Sequence, residues 1–367
     1  VSKREQPSKL YDFTYRWNLS DLDNVKSNGY SVFSCFAGGG GSSQGYKMAG
    51  YNVIGCNEID PRQMEIYKHN LKPKYSYLED IRTFRTRNDL PKELFDLAVL
   101  DASFPCSLFS SANLKADDKK GKEVKFREGQ SKQILDDLAF EAIKLADKLK
   151  PKICIFENVK GLLQEKNKWY VNQIYKQFDN IGYRICHHLI NCADLGVPQK
   201  RQRVFFFAVR NDIYVPTIDI FGCEPYLDLN IKEKHISIGD IDSDYKGKQP
   251  TEHINNMMKH YSIGDSSLGD IRQRLDGKTT GFQTCITPDN VVCNTLRSGS
   301  NDFIRPEYGN IHLSDYELKQ IGSWSLDYDF KDQKVIYVLG MSVPPLAMYK
   351  ISKEVQKQWL DKQQHKQ

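Results

Sequence analysis

A chain of 367 residues, 40% hydrophobic and 27% charged, can bury a sizeable core and has the composition of neither a disordered polypeptide nor a membrane protein. The formal net charge of +5 suits a nucleic-acid partner without requiring one. No apolar run approaches the roughly 18 residues of a membrane span, and the opening VSKREQPSKLYDFTYRW lacks the apolar core of a secretory signal, so the expected compartment is the cytoplasm.

Short apolar runs alternate with helical patterns from YSVFSCF near residue 30 to RVFFFAVR near residue 209. In order they are YSVFSCF then SQGYKMAG, YNVIGCNE then PRQMEIYKHN, FDLAVLDA then QILDDLAFEAIKLADKL, KICIFEN then KWYVNQIYKQF, YRICHHLI, and RVFFFAVR. This pattern predicts an α/β fold with a largely parallel sheet covered on both faces. The firmest helix is predicted over 130–149, where Ile134, Leu138, Ala142, Leu145 and Leu149 recur at helical spacing and Pro151 stops the helix. Residues 110–130 show no apolar periodicity and read as a functional or mobile loop. Beyond Arg210 the pattern breaks into irregular Gly-, Asp-, Asn- and Ser-rich segments, with no clean helix expected until about Ser314 and a second, smaller domain expected there. The Lys/Gln-rich end after Trp359 is expected to fray.

Nine dispersed cysteines without a CxxC pair argue against a disulfide framework and a zinc ribbon, and no metal is expected. Cys35, Cys56 and Cys154 lie in apolar runs and are expected to be buried thiols. Cys186, His187, His188 and Cys192 are ligand types, but adjacent histidines on a strand face opposite sides.

The turn FAGGGGSSQG, starting at Phe36, follows a predicted strand and opens a helix, where glycines admit a nucleoside cofactor to the backbone. Glu58, at the tip of the second strand, is placed to hold ribose hydroxyls, and Asp80, near the end of the third, to accept from an adenine amino group. Cys106 follows the strand FDLAVLDA, and Glu157 ends KICIF at the same sheet edge; a thiol and a carboxyl converging there suggest covalent catalysis assisted by an acid. Arg201 and Arg203 alternate ahead of FFFAVR and would share a face if the strand has begun.

FAGGGG, FPCSLFS, ENV, QKRQR and GMSVPP, in this order and at these separations, resemble the ordered motifs of the cytosine-C5 DNA methyltransferase family, of prokaryotic or phage type. The resemblance covers nearly all of the chain beyond the first thirty residues, apart from the middle of the small domain. It departs from the family at Phe104, Ser107, His312 and Met341, none of them a catalytic position.

The resemblance implies a Rossmann-like S-adenosylmethionine-dependent methyltransferase domain over 1–212, a smaller, irregular target-recognition domain over 213–298, and a C-terminal segment, 299–367, returning to the catalytic domain. It implies that Cys106 adds to C6 of the base, that Glu157 holds or protonates N3, and that Arg201 and Arg203 support the oxygen side of the base and the active-site loop. The cofactor would contact Phe36, Gly38, Gly40, Gly41, Glu58, Ile59, Asp80, Ile81, Ser342 and Val343, with S-adenosyl-L-homocysteine as product. DNA would contact Ser107, Ser110 and Gln199; independently of the resemblance, Arg272, Arg274 and Arg297 in the irregular stretch are candidate base readers because arginine suits guanine edges. Because C5 and C6 are inaccessible in stacked DNA, the base must flip out, and the loop after Cys106 is the natural lid. The implied partner is double-stranded DNA, with a cognate restriction endonuclease optional, no membrane, and a monomeric enzyme. A tRNA cytosine-C5 methyltransferase uses similar residues; a dedicated insert between QKRQR and the last motifs favours DNA. A non-catalytic DNA-binding relative is the other alternative, and intact Cys106, Glu157 and Arg201 speak against it.

Overall fold

The computed structural model describes residues 12–105, 137–213, 225–277, 284–299 and 302–364. The chain divides into two compact units: a smaller one made of Val1–Leu19, Cys192–Arg201 and Lys232–Leu346, and a sheet unit made of Ser20–Asn191, Gln202–Ile231 and Ala347–Gln367.

The sheet unit is built on seven strands: β1 (Ser31–Cys35), β2 (Asn52–Glu58), β3 (Tyr75–Leu78), β4 (Val99–Ala102), β5 (Ile153–Val159), β6 (Tyr183–Asn191) and β7 (Gln202–Arg210), in the order β3-β2-β1-β4-β5-β7-β6. The first five run parallel, and β7 lies antiparallel between β5 and β6. Parallel strands need crossovers, supplied here by α1 (Gly41–Met48), α2 (Pro61–Leu71), the single turn α3 (Ile81–Phe84), α4 (Leu138–Leu149) and α5 (Lys168–Asn180).

One sheet face carries Phe33, Cys35, Leu100, Ala102, Cys154, Phe156, Val204 and Phe206, and packs on Ala142, Leu145 and Leu149 of α4 and Ile174 and Phe178 of α5. Each fully buried Leu or Phe contributes roughly 1.5–3 kcal/mol, which is why the apolar stripe fixes the docking of α4. That helix ends as its spacing predicts: Lys150 turns left-handed at φ +51° ahead of Pro151. Its predicted first turns, 130–136, lie outside the described residues. The opposite face is met by the C-terminal piece, where the Tyr51 hydroxyl donates to the Ser352 carbonyl and Trp359 sets its ring edge-on to Phe207.

The smaller unit has short strands. Phe303–Arg305 pairs antiparallel with Ile311–His312 and parallel with Cys285–Ile286, and Gln199–Lys200 pairs with Cys293–Asn294. Arg305, almost wholly buried, is held by Glu317 and, at 2.5 Å, by Asp289.

Several sequence expectations need correction. Two helices precede Ser314: α6 (Glu252–Met258), capped by Thr251, and α7 (Leu268–Asp276), capped by Ser267 and closed by Gly277 at φ +65°. Two-turn helices bury too few apolar residues (Met258, Leu268 and Ile271 here) to raise a periodic signal. Later come α8 (Asp315–Ile321), α9 (Val335–Met341) and α10 (Pro345–Val355). The stretch Val335–Leu360 is long and apolar enough to span a membrane, contrary to the sequence reading, but its most apolar 18-residue window is 78% buried and the helix is interrupted after Met341. The end after Trp359 does not fray at once: a π-helical turn, Gln356–Leu360, leads into Asp361, which accepts from the Tyr30 hydroxyl. The strip expected for target recognition, 213–298, falls in the smaller unit from Lys232 onward, and of 299–367 only Ala347–Gln367 belongs to the sheet unit.

Candidate active site

The chemistry-bearing residues of the sheet unit gather at the carboxyl ends of its parallel strands, where open α/β sheets bind ligands. After β1 the backbone turns sharply: Phe36 is at φ +53°, Gly38 at φ +51° and Gly40, which caps α1, at φ +89°. A left-handed Phe is strained by about 1–2 kcal/mol, the kind of local cost that persists where surrounding structure enforces it. A Cβ on Gly40 would lie 2.5 Å from Leu71 Cδ1, so a side chain there would both strain the left-handed backbone and push the Leu71 side chain of α2 aside. On Gly38 a Cβ would meet nothing within 4 Å, so the turn opens onto free space.

Glu58 closes β2 beneath this turn. Its Oε2 accepts from the Gly38 amide at 2.7 Å, and Oε1 accepts from Ile59 and Asp60, both at 2.8 Å. Burial raises the pKa of the carboxyl, and the three amides pull it partly back. A carboxylate has about four acceptor positions, so Glu58 retains one, on Oε2, next to the open turn. That vacancy and the space over Gly38 fit a ribose hydroxyl. Gly41 begins α1. Asp80 caps α3, accepting from the Arg82 amide at 2.8 Å and pairing with its guanidinium at 3.0 Å; Ile81 is buried.

β4 delivers Ser103, Phe104 and Pro105; Cys106, Ser107, Ser110 and the rest of the expected lid lie outside the described residues. The segment is tied to β5 by Asn158, whose Nδ2 donates to the Phe104 carbonyl at 3.0 Å. Next to it Glu157, 7% exposed, pairs with Arg203 Nε at 3.0 Å. The middle residue of ENV thus holds the strand end leading to Cys106, and the first presents its carboxyl beside a fixed cation.

A model of the family described as C-5 cytosine-specific DNA methylase matches residues 30–357. The chain belongs to that family. Among similar curated proteins, the Type II methyltransferase M.DdeI of Desulfomicrobium norvegicum is 33% identical over 185 residues, covering 50% of this chain and 41% of the relative. M.FnuDI of Fusobacterium nucleatum is 32% identical over 190 residues, covering 51% and 49%. The chain spans about half the length of the curated relatives it matches. A proposed DNA modification methyltransferase encoded within an E. coli prophage superposes with a TM-score of 0.63 at 17% identity, covering 90% of this chain and 99% of that one. A DNMT2 mutant from Spodoptera frugiperda gives 0.62 at 15%, covering 89% and 99%. At such identities the likeness concerns the fold.

The alternation expected of Arg201 and Arg203 is not seen. β7 begins at Gln202, so Arg201 precedes the strand and its alternation with Arg203 does not apply. Arg201 is buried, donating to the carbonyls of Leu296 (2.9 Å), Gly340 (3.0 Å) and Ser342 (2.8 Å). It clamps the GMSV segment, including Ser342 and the buried Val343, where Gly340 leaves room for the Arg297 backbone. Gln199 is also buried, bonded to the Ile321 carbonyl and the Leu296 amide. Arg272 pairs with Asp276, Arg274 with Asp265 and the His260 carbonyl, and Arg297 lies 4.0 Å from Asp302. On β6, His187 meets the Tyr175 hydroxyl while His188 packs by Phe207, so the two rings do part to opposite faces.

Sequence reasoning missed Asp101. It sits inside β4, 1% exposed, accepting from Ser34 Oγ at 2.7 Å and from the Tyr46 hydroxyl at 3.3 Å. Burial is the main cause that pushes its pKa to about 7, aided by Glu157 and opposed by the two hydroxyls. The signal was an acid within the apolar run LAVLDA, where a lone carboxylate is costly.

Proposed function

We propose that this chain transfers a methyl group from S-adenosylmethionine to C5 of a cytosine flipped out of duplex DNA, the reaction of a DNA (cytosine-5-)-methyltransferase. The observation that carries the reading is the Glu157–Arg203 pair on β5 and β7, with Asn158 beside it holding the Phe104 carbonyl two residues ahead of Cys106. The Cys106 thiolate adds to C6, which makes C5 an enamine carbon able to take an electrophilic methyl. Glu157 supplies or holds the proton at N3 so that charge does not build on the ring, and Arg203 fixes its carboxyl. Loss of the C5 proton to a base then expels the thiolate and restores the ring. S-adenosylmethionine, when bound, supplies the methyl as a sulfonium; the turn 36–41, with Glu58, Ile59, Asp80 and Ile81, would hold its nucleoside. Arg201 is assigned to positioning Ser342 and Val343 rather than to touching the base.

Base reading falls to the smaller unit, with Arg272, Arg274 and Arg297 as candidate contacts once their carboxylate partners are exchanged for DNA. The homology to Type II enzymes suits a restriction endonuclease as partner, and a reducing cytoplasm would keep Cys106 a free thiol.

Duplex DNA carrying 5-fluorocytosine tests the reading, because the fluorine cannot leave as the proton does. Cofactor-dependent formation of an adduct mapped to Cys106 by mass spectrometry is the expected result. No adduct with duplex DNA, capture of fluorinated tRNA instead, or an adduct persisting in Cys106→Ala would overturn it.

A further inference from the structure

Strand register places Asp101 opposite Ser34 on β1 and Ile155 on β5, so these three side chains share one sheet face. Glu157, two residues beyond Ile155, lies on that face as well. It is the face away from α4 and α5, since the alternate residues Leu100, Ala102, Cys154 and Phe156 pack toward those helices. Two carboxyl groups therefore sit on neighbouring strands, two residues out of register, and the cation Arg203 is bonded to Glu157. Asp101 has only hydroxyl donors as hydrogen-bond partners among the described residues.

Resting on the methyl-transfer reading above, we propose that Asp101 is a positioning residue for the reaction: by gaining or losing its own charge it sets how firmly Glu157 holds the proton it shares with the base.

The argument is electrostatic and local. An ionised Asp101 faces Glu157 through a protein interior that screens poorly, and a second negative charge favours the protonated form of its neighbour. With the flipped base bound, an ionised Asp101 disfavours loss of the proton that Glu157 shares with N3, against the opposite pull of the Arg203 guanidinium on the same carboxyl. The titratable groups that couple to Asp101 besides Glu157 do not compete: burial holds the Cys35 thiol and the Tyr46 phenol well up, so both stay neutral as Asp101 ionises. Burial dominates the midpoint, and the Ser34 hydrogen bond lowers it by favouring the carboxylate. Asp101 titrates near 7, which is where such control has an effect.

Coupling between two sites is reciprocal, and that gives a test independent of turnover. In the full chain with 13C-labelled aspartate, the Asp101 carboxyl resonance is titrated in the parent protein, Glu157→Gln and Ser34→Ala. At separations of roughly 7–8 Å the expected downward shift in Glu157→Gln is about one pH unit, and Ser34→Ala shifts the midpoint upward. In the methyl-transfer assay, the alkaline limb of kcat for Asp101→Asn, a near-isosteric change, moves down by a similar amount. An Asp101 midpoint unchanged by Glu157→Gln, or an alkaline limb unchanged by Asp101→Asn, overturns the proposal; a merely structural Asp101 would give both. A parent protein that transfers no methyl group to DNA refutes the functional reading instead, while the resonance titration still decides whether the two carboxyls are coupled.

Discussion

Replacing Glu58 with glutamine changes few atoms but removes the charge that three backbone amides share. If the side-chain oxygen takes the place of Oε1, Ile59 and Asp60 keep an acceptor, now neutral, while the new NH2 faces the Gly38 N–H, donor against donor. Hydrogen bonds to charged groups are worth about 1.5–3 kcal/mol and neutral ones about 0.5–1.5, and a buried unsatisfied amide costs about 1–3 kcal/mol. Glu58→Gln should therefore destabilise the protein by about 2–4 kcal/mol, and roughly 2–4 °C per kcal/mol makes the fall in Tm readily visible. Urea unfolding and thermal scans measure this part. The cofactor part is separate: if the remaining Oε2 position receives a ribose hydroxyl, losing that charge-assisted bond should weaken S-adenosylmethionine binding roughly tenfold or more, read by calorimetry below the onset of unfolding. A variant equal to the parent in stability, within about 0.5 kcal/mol, would refute the amide clamp. Equal cofactor affinity in a properly folded variant would refute the ribose assignment alone.

Gly40→Ala should cost about 2–5 kcal/mol, combining a left-handed non-glycine residue with overpacking against Leu71 and Tyr67, and an unfolding midpoint in urea close to that of the parent would contradict it. Asp101 gives a pH signature of stability. Its folded pKa of about 7 lies above the unfolded value of about 3.9, so the native state binds the extra proton in between. Its stabilising contribution is complete below about pH 4 and lost as pH rises to about 7, by up to about 4 kcal/mol. Asp101→Asn should flatten that slope, measured as unfolding free energy from pH 5 to 8; an unchanged slope would contradict the assignment.

Most of the sheet unit was legible because its central strands β1, β2, β4, β5 and β7 are buried on both faces and its longer helices repeat an apolar stripe, as α4 does with Leu138, Ala142, Leu145 and Leu149. The glycine turn, Glu58 and the ENV strand end were legible because each sits at a strand terminus, a place fixed by the alternation of strand and helix. Arg201 was less so. Its neighbour in sequence, Arg203, reaches Glu157 while Arg201 reaches three carbonyls, and that difference depends on one residue of strand register that no periodicity encodes. In the smaller unit the helices α6 and α7 announce themselves only through Thr251, Ser267 and Gly277, caps too common in loops to count alone. The short strands there are set by distant partners such as Phe303 and Cys285, and local sequence says little about such pairings.

The C-terminal piece of the sheet unit has a consequence for the order of events during synthesis. Tyr51 bonds to the Ser352 carbonyl and Phe207 lies against Trp359, so one flank of the sheet is covered by residues translated some three hundred positions after the strand that precedes Tyr51. Until Ala347–Leu360 has left the ribosome, that flank presents apolar side chains of β7 to water, and nascent chains would be open to association through it. Folding dominated by such distant closures is slow, because a long loop must be ordered before the contact rewards it. Val355, Trp359 and Leu360 are buried, so a ribosome stalled ahead of them would hold an uncapped sheet, a substrate for chaperones rather than for a cofactor.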